Sequence, residues 1–410
     1  MKIALVHDYI KEYGGAERVL KVLSEMYPKA PIYTAFSVKG SSAEREFRGK
    51  EIHESWLAPL LKIWKLYSPL RFLTPLVWGT MDLSNYDLVI TSCSWYITRG
   101  FSTKGGSASG RKVRNTKVIA YCHTPPRWLY GYETSVGFTK YWPVKVYSAI
   151  VGHFMRIYDF KTAQPIKYWI ANSKNVQERI KKFYRKDSVV IYPPVEVEKI
   201  IKATENIYNR HAEFSSASKK ILKQVQDDSV LYFLIVSRLV GAKGLEEAIK
   251  AFQSKSMSNF KLKIVGEAHG FSNIQSLITN HKSPNVELLG RVSDRELYEL
   301  YAGAKGFIAL ARDEDFGITP VEAMAAGTPV IAFNGGGFRE SIVDGVTGIL
   351  IDDTHEKTIK EAIRRFNKIK WDKEKLQNHA KRFSKERFNK EMLKFVHART
   401  SCSRNNQITA

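Results

Sequence analysis

Cysteine is scarce in this chain, with three residues in 410 (Cys93, Cys122 and Cys402), widely spread and odd in number. That pattern argues against a disulfide framework or a cysteine-built zinc site, and it fits a reducing cytoplasm. Long apolar runs are missing too: no stretch reaches the ~18 uninterrupted residues expected of a membrane span. The opening run, Met1 to Val6, is stopped at once by His7 and Asp8. It is too short for the apolar region of a signal peptide and reads as a first buried strand. Acidic residues are outnumbered, 41 Asp+Glu against 64 Lys+Arg, leaving a formal charge of +23. Such a surplus suits an anionic partner, whether nucleic acid, an anionic membrane face or an anionic small molecule, or else is solvated surface lysine. Several motifs are absent. Without GxGxxG or GxxxxGK[ST] the dehydrogenase and kinase readings lose ground, and nothing like a Gly-x-Ser-x-Gly elbow supports a hydrolase. No His or carboxylate cluster stands at metal spacing, so cations at a site have to come from side chains.

What is present is an ordinary globular composition, 44% hydrophobic and 26% charged, long enough for two or three domains. Short Val/Ile-rich runs alternate with longer amphipathic stretches, the pattern of a parallel sheet covered by helices. The first set is 2–7, 31–36, 87–92, 117–122, 167–172 and 189–192; Pro193-Pro194 then breaks the rhythm. A polar stretch, Glu196–Asp228, reads as a linker with an inserted loop, and a second set follows at 230–237, 261–266, 286–289, 306–310, 329–333 and 348–351. The expectation is an α/β protein of two doubly wound parallel-sheet, Rossmann-like domains facing across a cleft. Ligands in such sheets sit beyond the carboxyl ends of the strands. Boundaries are placed at 1–195, 196–372, a terminal helix at 373–398 that packs back on the first domain, and a tail at 399–410. Lys104–Asn115 reads as a flexible basic loop.

The most informative stretch is Glu314-Asp-Phe316-Gly317-Ile318-Thr319-Pro-Val-Glu322. It sets two carboxylates eight residues apart, one in a Gly-containing loop and the other on the first turn of the next helix. Between them lie backbone N–H groups without helical partners, at the positive end of a helix dipole. Amides there suit a phosphate and carboxylates suit a polyol. Glu322 also has a purely structural reading, since Thr319 to Glu322 forms a capping box with Pro320 at the first helical position. Gly14-Gly15 precedes a helix and lets backbone amides approach a phosphate or sugar, though any tight strand-to-helix turn uses glycine this way. Arg238 and Lys243 follow another strand, as a bidentate donor and a point charge suited to a diphosphate or as a pair of exposed loop cations. His123 ends a strand in Tyr121-Cys122-His123-Thr124-Pro125 and is expected to look into the cleft, or to be structural. Pro59 to Trp78 mixes Trp, Tyr and Phe with Lys and Arg, as a segment at a lipid headgroup boundary does. An ordinary core helix with snorkelling lysines reads equally well.

Together these segments resemble glycosyltransferase family 4, the retaining GT-B transferases, across residues 1–395. The carriers are Gly14-Gly15-Ala-Glu-Arg, Cys122-His123-Thr-Pro, Ala171-Asn-Ser173, 190–195, Ser237-Arg238 with Lys243-Gly244, Gly266-Glu267, the Glu314–Gly327 block and Gly335–Gly348. Within the family the chain looks most like bacterial mannosyltransferases that build surface polysaccharide on lipid-linked acceptors. The resemblance implies that Glu314 holds hydroxyls of the transferred sugar, while the amides of Phe316, Gly317 and Ile318 meet sugar and diphosphate, next to Thr319. Glu322 would grip the ribose, Arg238 and Lys243 would stabilise the leaving diphosphate, and Gly14-Gly15 would let the first domain close on it. His123 would lie near the reacting carbon. The base would sit between Gly266-Glu267 and Arg291-Val292. Gly266-Glu267-Ala268-His269 departs from the family's frequent Gly-x-Gly-Pro.

The function expected is retaining transfer of a hexose, with GDP-mannose the favoured donor, to a glycan or lipid-linked acceptor. No metal or other cofactor is expected, no nucleic acid is expected as partner, and an anionic membrane surface is. That places the protein in the cytoplasm, peripheral on the inner face of the cell membrane. The alternatives are a GT-B nucleotide-sugar epimerase or phosphorylase-type enzyme, and a basic nucleic-acid-binding protein without catalysis, for which no recognised signature stands in the chain.

Overall fold

A computed structural model describes residues 1–63, 67–103, 116–132, 142–217, 231–239, 243–267 and 285–400. The basic loop Lys104–Asn115, the end of the Glu196–Asp228 stretch, His269 and the tail from residue 401 lie outside them. The chain divides into two compact units. One holds the chain up to Pro194, apart from a short break, and takes it back from Glu386; the other holds Val195–Lys385.

The first unit is built on a seven-stranded sheet, β1 (Ile3–His7), β2 (Ile32–Thr34), β3 (Ile52–Glu54), β4 (Leu88–Cys93), β5 (Lys117–Cys122), β6 (Tyr168–Ala171) and β7 (Val189–Val190). Its order is β3-β2-β1-β4-β5-β6-β7, with every pairing parallel. β1 and β4 are buried nearly throughout, which is why they read as continuous apolar runs rather than as alternation. Edge strand β3, Ile-His-Glu, carries one apolar residue in three and gives no such signal.

The second unit has six parallel strands, β8 (Tyr232–Val236), β9 (Lys261–Val265), β10 (Val286–Gly290), β11 (Gly306–Ala309), β12 (Val330–Phe333) and β13 (Gly348–Ile351). Their order is β10-β9-β8-β11-β12-β13. In both sheets the chain starts in the middle, winds outward to one side, then crosses to the other. The switch points therefore lie between β1 and β4 and between β8 and β11. At such a point the two neighbouring loops diverge and open a crevice at the carboxyl edge.

One element differs from the sequence reading. Residues Val197–Ala217, read as linker, form a helix that packs on helices Asp294–Gly303, Ile318–Ala325 and Lys373–Lys381. Val197, Ile200 and Thr204 are buried along one stripe, and Glu198, Lys199 and Lys202 cover the remainder with charge. So narrow a stripe is easily read as loop. At the other end of the chain, helix Lys385–Thr400 buries Phe388, Met392, Phe395 and Val396 among Leu5, Ile90, Ile119 and Tyr121 of the first unit. The i, i+4, i+7, i+8 spacing puts all four on one face. Arg387 fastens this helix by donating to the Tyr192 carbonyl at 2.7 Å.

Pro59 to Trp78 is neither one core helix nor one surface helix. It breaks into Ala58–Lys62, a 3-10 turn Pro69–Leu73 and Thr74–Gly79. Leu61, Val77 and Trp78 enter the core, with the Trp78 indole N–H donating to the Tyr96 carbonyl at 2.8 Å. Leu60, Ile63, Phe72 and Leu76 stay exposed.

Candidate active site

In the second unit the residues singled out from the sequence gather along the carboxyl edge of the sheet. Arg238 follows β8 and is exposed; Lys243 comes five residues later and is half-buried. Gly266 ends β9, and Arg291 and Val292 follow β10, Arg291 exposed and Val292 partly buried. Glu314 lies in the loop after β11. Across the switch point, Lys243 Nζ stands 2.5 Å from Glu314 Oε2, each side chain about one-fifth exposed. Two residues 71 positions apart in sequence are thus a charge-assisted pair at the crevice mouth.

Two glycines bring the loops this close. Gly244 has φ +68, and a Cβ there would meet Leu310 Cβ at 2.5 Å and its carbonyl oxygen at 2.9 Å, so the Lys243 turn lies directly on the end of β11. Gly336, φ +53, lets the turn after β12 touch the Glu314 backbone, where a Cβ would stand 2.2 Å from the carbonyl oxygen. The next amide, Gly337 N–H, donates to that carbonyl at 2.9 Å. The Glu314 loop is therefore held from both sides by backbone.

The helix after Glu314 begins two residues earlier than the capping-box pattern predicts. Helix Ile318–Ala325 has Gly317 as its N-cap, in the left-handed region at φ +86, and no side-chain cap. Thr319 is its second residue, so the box does not form, and Pro320 is third, where its missing N–H has no helical acceptor to lose. Glu322 sits in the second turn rather than the first. It is 5% exposed, and the Tyr301 hydroxyl donates to its Oε2 at 3.0 Å. Phe316 points away from the edge, with its ring packed on Phe383 at 5.4 Å between centroids. Ile318 and Thr319 are half-buried. Gly317, at the start of this helix, lies beside Glu314: a Cβ there would stand 3.5 Å from the Glu314 side chain.

In the first unit, Gly14 is the N-cap and Gly15 the first residue of helix Gly15–Met26. His123 follows β5 and is 7% exposed. These two places, unconnected in the sequence, are joined by residues to which the sequence reading gave no role. The Gly14 N–H donates to Glu17 Oε2 at 3.0 Å, and Glu17 Oε1 faces His7 Nε2 at 3.4 Å. His7 Nδ1 lies 3.0 Å from Ser92 Oγ, which lies 2.8 Å from His123 Nε2. His7 ends β1 and Ser92 lies in β4, so the chain of contacts crosses this sheet's switch point. A polar residue closing an apolar strand was the one available signal. Burial, with His7 close by, pushes the His123 imidazole down to about 3, so the ring is neutral at physiological pH.

Among the described residues no group of three or more His, Cys, Asp or Glu side chains is arranged to hold a metal ion. No helix there is long and apolar enough to cross a membrane.

Two parallel-sheet α/β units, each with polar residues at its switch point, define a doubly wound α/β architecture. Solved structures agree in fold. The HepE protein of Anabaena, crystallised with UDP and glucose, aligns over 97% of this chain and all of its own, with TM-score 0.64 at 17% identity. Sucrose-phosphate synthase of Thermosynechococcus elongatus aligns over 98% and all of its own, with TM-score 0.67 at 15% identity. Residues 13–199 match the model of Glycosyltransferase Family 4, and residues 217–387 that of Glycosyl transferases group 1. The chain belongs to the group 1 glycosyltransferases, which have the GT-B fold. Among sequence relatives, an uncharacterised glycosyltransferase of Methanocaldococcus jannaschii is 30% identical over 39% of this chain and 44% of its own length. An alpha-1,3/1,6-mannosyltransferase of Dictyostelium discoideum is 25% identical over 62% of each. The chain spans less than two thirds of the length of either.

Proposed function

We propose that this enzyme moves a hexose, mannose in preference, from a nucleoside-diphosphate sugar to a hydroxyl of a glycan or lipid-linked acceptor, with retention at the anomeric carbon. The observation that carries the reading is the Lys243–Glu314 pair at the β8/β11 switch point, beside the start of the next helix, which has no side-chain cap. A diphosphate would take the ammonium, the amides and the nearby Arg238, and release the Glu314 carboxylate to accept sugar hydroxyls. Glu322, although mostly enclosed, keeps its proposed ribose contact. Gly266 and Arg291-Val292 would flank the base. From the first unit, Gly14, Gly15 and His123 keep the roles that the family resemblance implies. The mannosyltransferase relative and the UDP- and glucose-bound neighbour support a nucleotide-sugar donor and leave the base open; GDP-mannose is our first choice.

In the reaction proposed, the bond from the anomeric carbon to the diphosphate oxygen breaks through an oxocarbenium-like state. The pair of electrons leaves with the diphosphate. The acceptor oxygen attacks from the same face, and its proton passes to a leaving phosphate oxygen. No protein nucleophile is assigned. Charge on the departing oxygen is met by Arg238 and Lys243 in place of a metal, so a chelator should leave the rate unchanged. The test is a thermal-shift panel of GDP-, UDP-, ADP- and CDP-sugars, followed by NMR of the product anomer. A donor at about a hundred times its dissociation constant adds ~2.7 kcal/mol of stability. An inverted product, or no stabilisation by any nucleotide sugar, would overturn the proposal.

We propose further that the first unit rests on an anionic membrane surface. Helix Trp142–Ala163 exposes Trp142 (74%), Val146, Ile150, Phe154 (66%) and Ile157 at steps of four, four, four and three. Lys145, Arg156 and Lys161 are exposed on the same helix. The Tyr147 hydroxyl bonds the Pro69 carbonyl, so the exposed Phe72 and Leu76 lie on elements adjacent to this helix. Apolar rings with basic neighbours suit the boundary between headgroups and acyl chains.

A further inference from the structure

Four buried polar residues in the first unit have one more consequence. Glu17, His7, Ser92 and His123 form a single file in which each member has one defined neighbour on each side. Hydrogen bonds have direction, so the file cannot be symmetric. A carboxylate only accepts; the His7 nitrogen facing Glu17 must therefore carry the proton. Where His7 is neutral, that is its only ring proton. His7 Nδ1 is then a bare lone pair and accepts from the Ser92 hydroxyl. That hydroxyl has a single hydrogen, so its oxygen must in turn accept from His123 Nε2–H. The direction set by one carboxylate is carried across three strands.

We infer that Glu17, His7 and Ser92 are positioning residues that hold His123 as its Nε2–H tautomer, with Nδ1 left as an acceptor. Among the described residues the His123 ring bonds only Ser92. A bare lone pair accepts from a hydroxyl and repels a phosphate oxygen, so His123 in this tautomer is selective for a sugar or acceptor hydroxyl. This selectivity rests on the transferase reading above; the tautomer does not. The file also ties this ring to the Gly14 amide through the second oxygen of Glu17, so the helix start and the histidine are set together.

The experiment is long-range nitrogen–proton NMR of the full chain labelled at its histidine rings, with His123 assigned by comparison with His123→Gln. The expected wild-type pattern is a protonated Nε2 and a bare Nδ1. In Ser92→Ala the His123 signals should shift to a mixture of tautomers, and turnover should fall roughly tenfold while the donor KM changes little. Ser92→Thr, which keeps the hydroxyl, should restore the wild-type tautomer. A wild-type ring protonated at Nδ1 overturns the inference without any variant having to fold. So does an unchanged tautomer in Ser92→Ala. If the tautomer behaves as stated while no nucleotide sugar is turned over, the positioning stands and the transferase reading falls.

Discussion

At the scale of single residues, the Lys243–Glu314 contact does two jobs that substitution can separate. In the function proposed, each side chain neutralises the other until a ligand group takes its place. Preorganised donors at a developing charge contribute about 2.7–4 kcal/mol each. Lys243→Ala and Arg238→Ala should therefore lower turnover ~100-fold or more with far-UV circular dichroism unchanged; wild-type turnover in both would remove the assignment. His123 makes a different prediction. Unfolded, its ring takes a proton near pH 6.5; folded, only near 3. Between those values the unfolded chain binds more protons, so stability falls as pH is lowered through that window. His123→Gln should lose less of its melting temperature between pH 7 and pH 4.5 than the parent does. Equal losses would show that the ring is not held neutral. Glu322 teaches the opposite lesson: its spacing from Thr319 suggested a capping role, yet it is enclosed and bonded to Tyr301 instead. Tyr301→Phe removes a hydrogen bond to a charged group and should cost about 1.5–3 kcal/mol in denaturant melts.

At the scale of elements, the twelve strands expected from the sequence all form, with ends displaced by a residue or two. They were legible because a strand buried on both faces is a short β-branched run between turn residues, a purely local property. β3 was not, since an edge strand of three residues needs only one apolar side chain to hold its place. Helix Val197–Ala217 was hidden by its own charge. The Lys243–Glu314 meeting was anticipated only because both residues follow strands of one sheet, and sheet order supplied the rest. The Glu17–His7–Ser92–His123 file had no comparable signal. Its members are 85 and 31 positions apart at the two later steps, and each alone is an ordinary polar residue near a strand end. The final helix offers a sharp test of packing. Phe388 is fully buried against the first unit's core, so Phe388→Ala should cost about 3–5 kcal/mol by chemical denaturation. A cost below 1 kcal/mol would mean that the helix is only loosely attached. On helix Trp142–Ala163 the exposed stripe predicts that Trp142→Ser with Phe154→Ser abolishes most sedimentation with anionic vesicles and leaves the melting temperature in place. Unchanged sedimentation would free that face of any membrane role.

At the scale of the molecule, the surplus of +23 charges sets how such an interaction responds to salt. Attraction between surface lysines and headgroups is screened over a Debye length of ~10 Å at 0.1 M salt and ~3 Å at 1 M. Vesicle binding should therefore weaken steeply over that range, leaving only what the aromatic stripe retains. Binding insensitive to salt would mean that the charge plays no part.

The return of residues beyond Lys385 to the first unit also bears on how the protein is made. When Pro194 leaves the ribosome, the sheet it closes still lacks Phe388, Met392, Phe395 and Val396. About 200 more residues must be translated first, on the order of 10–40 s at ordinary elongation rates. Throughout that interval an oily trough beside β1, β4 and β5 is open to water and to other nascent chains. The unit that begins first is completed last, and chaperones have their clearest opportunity there.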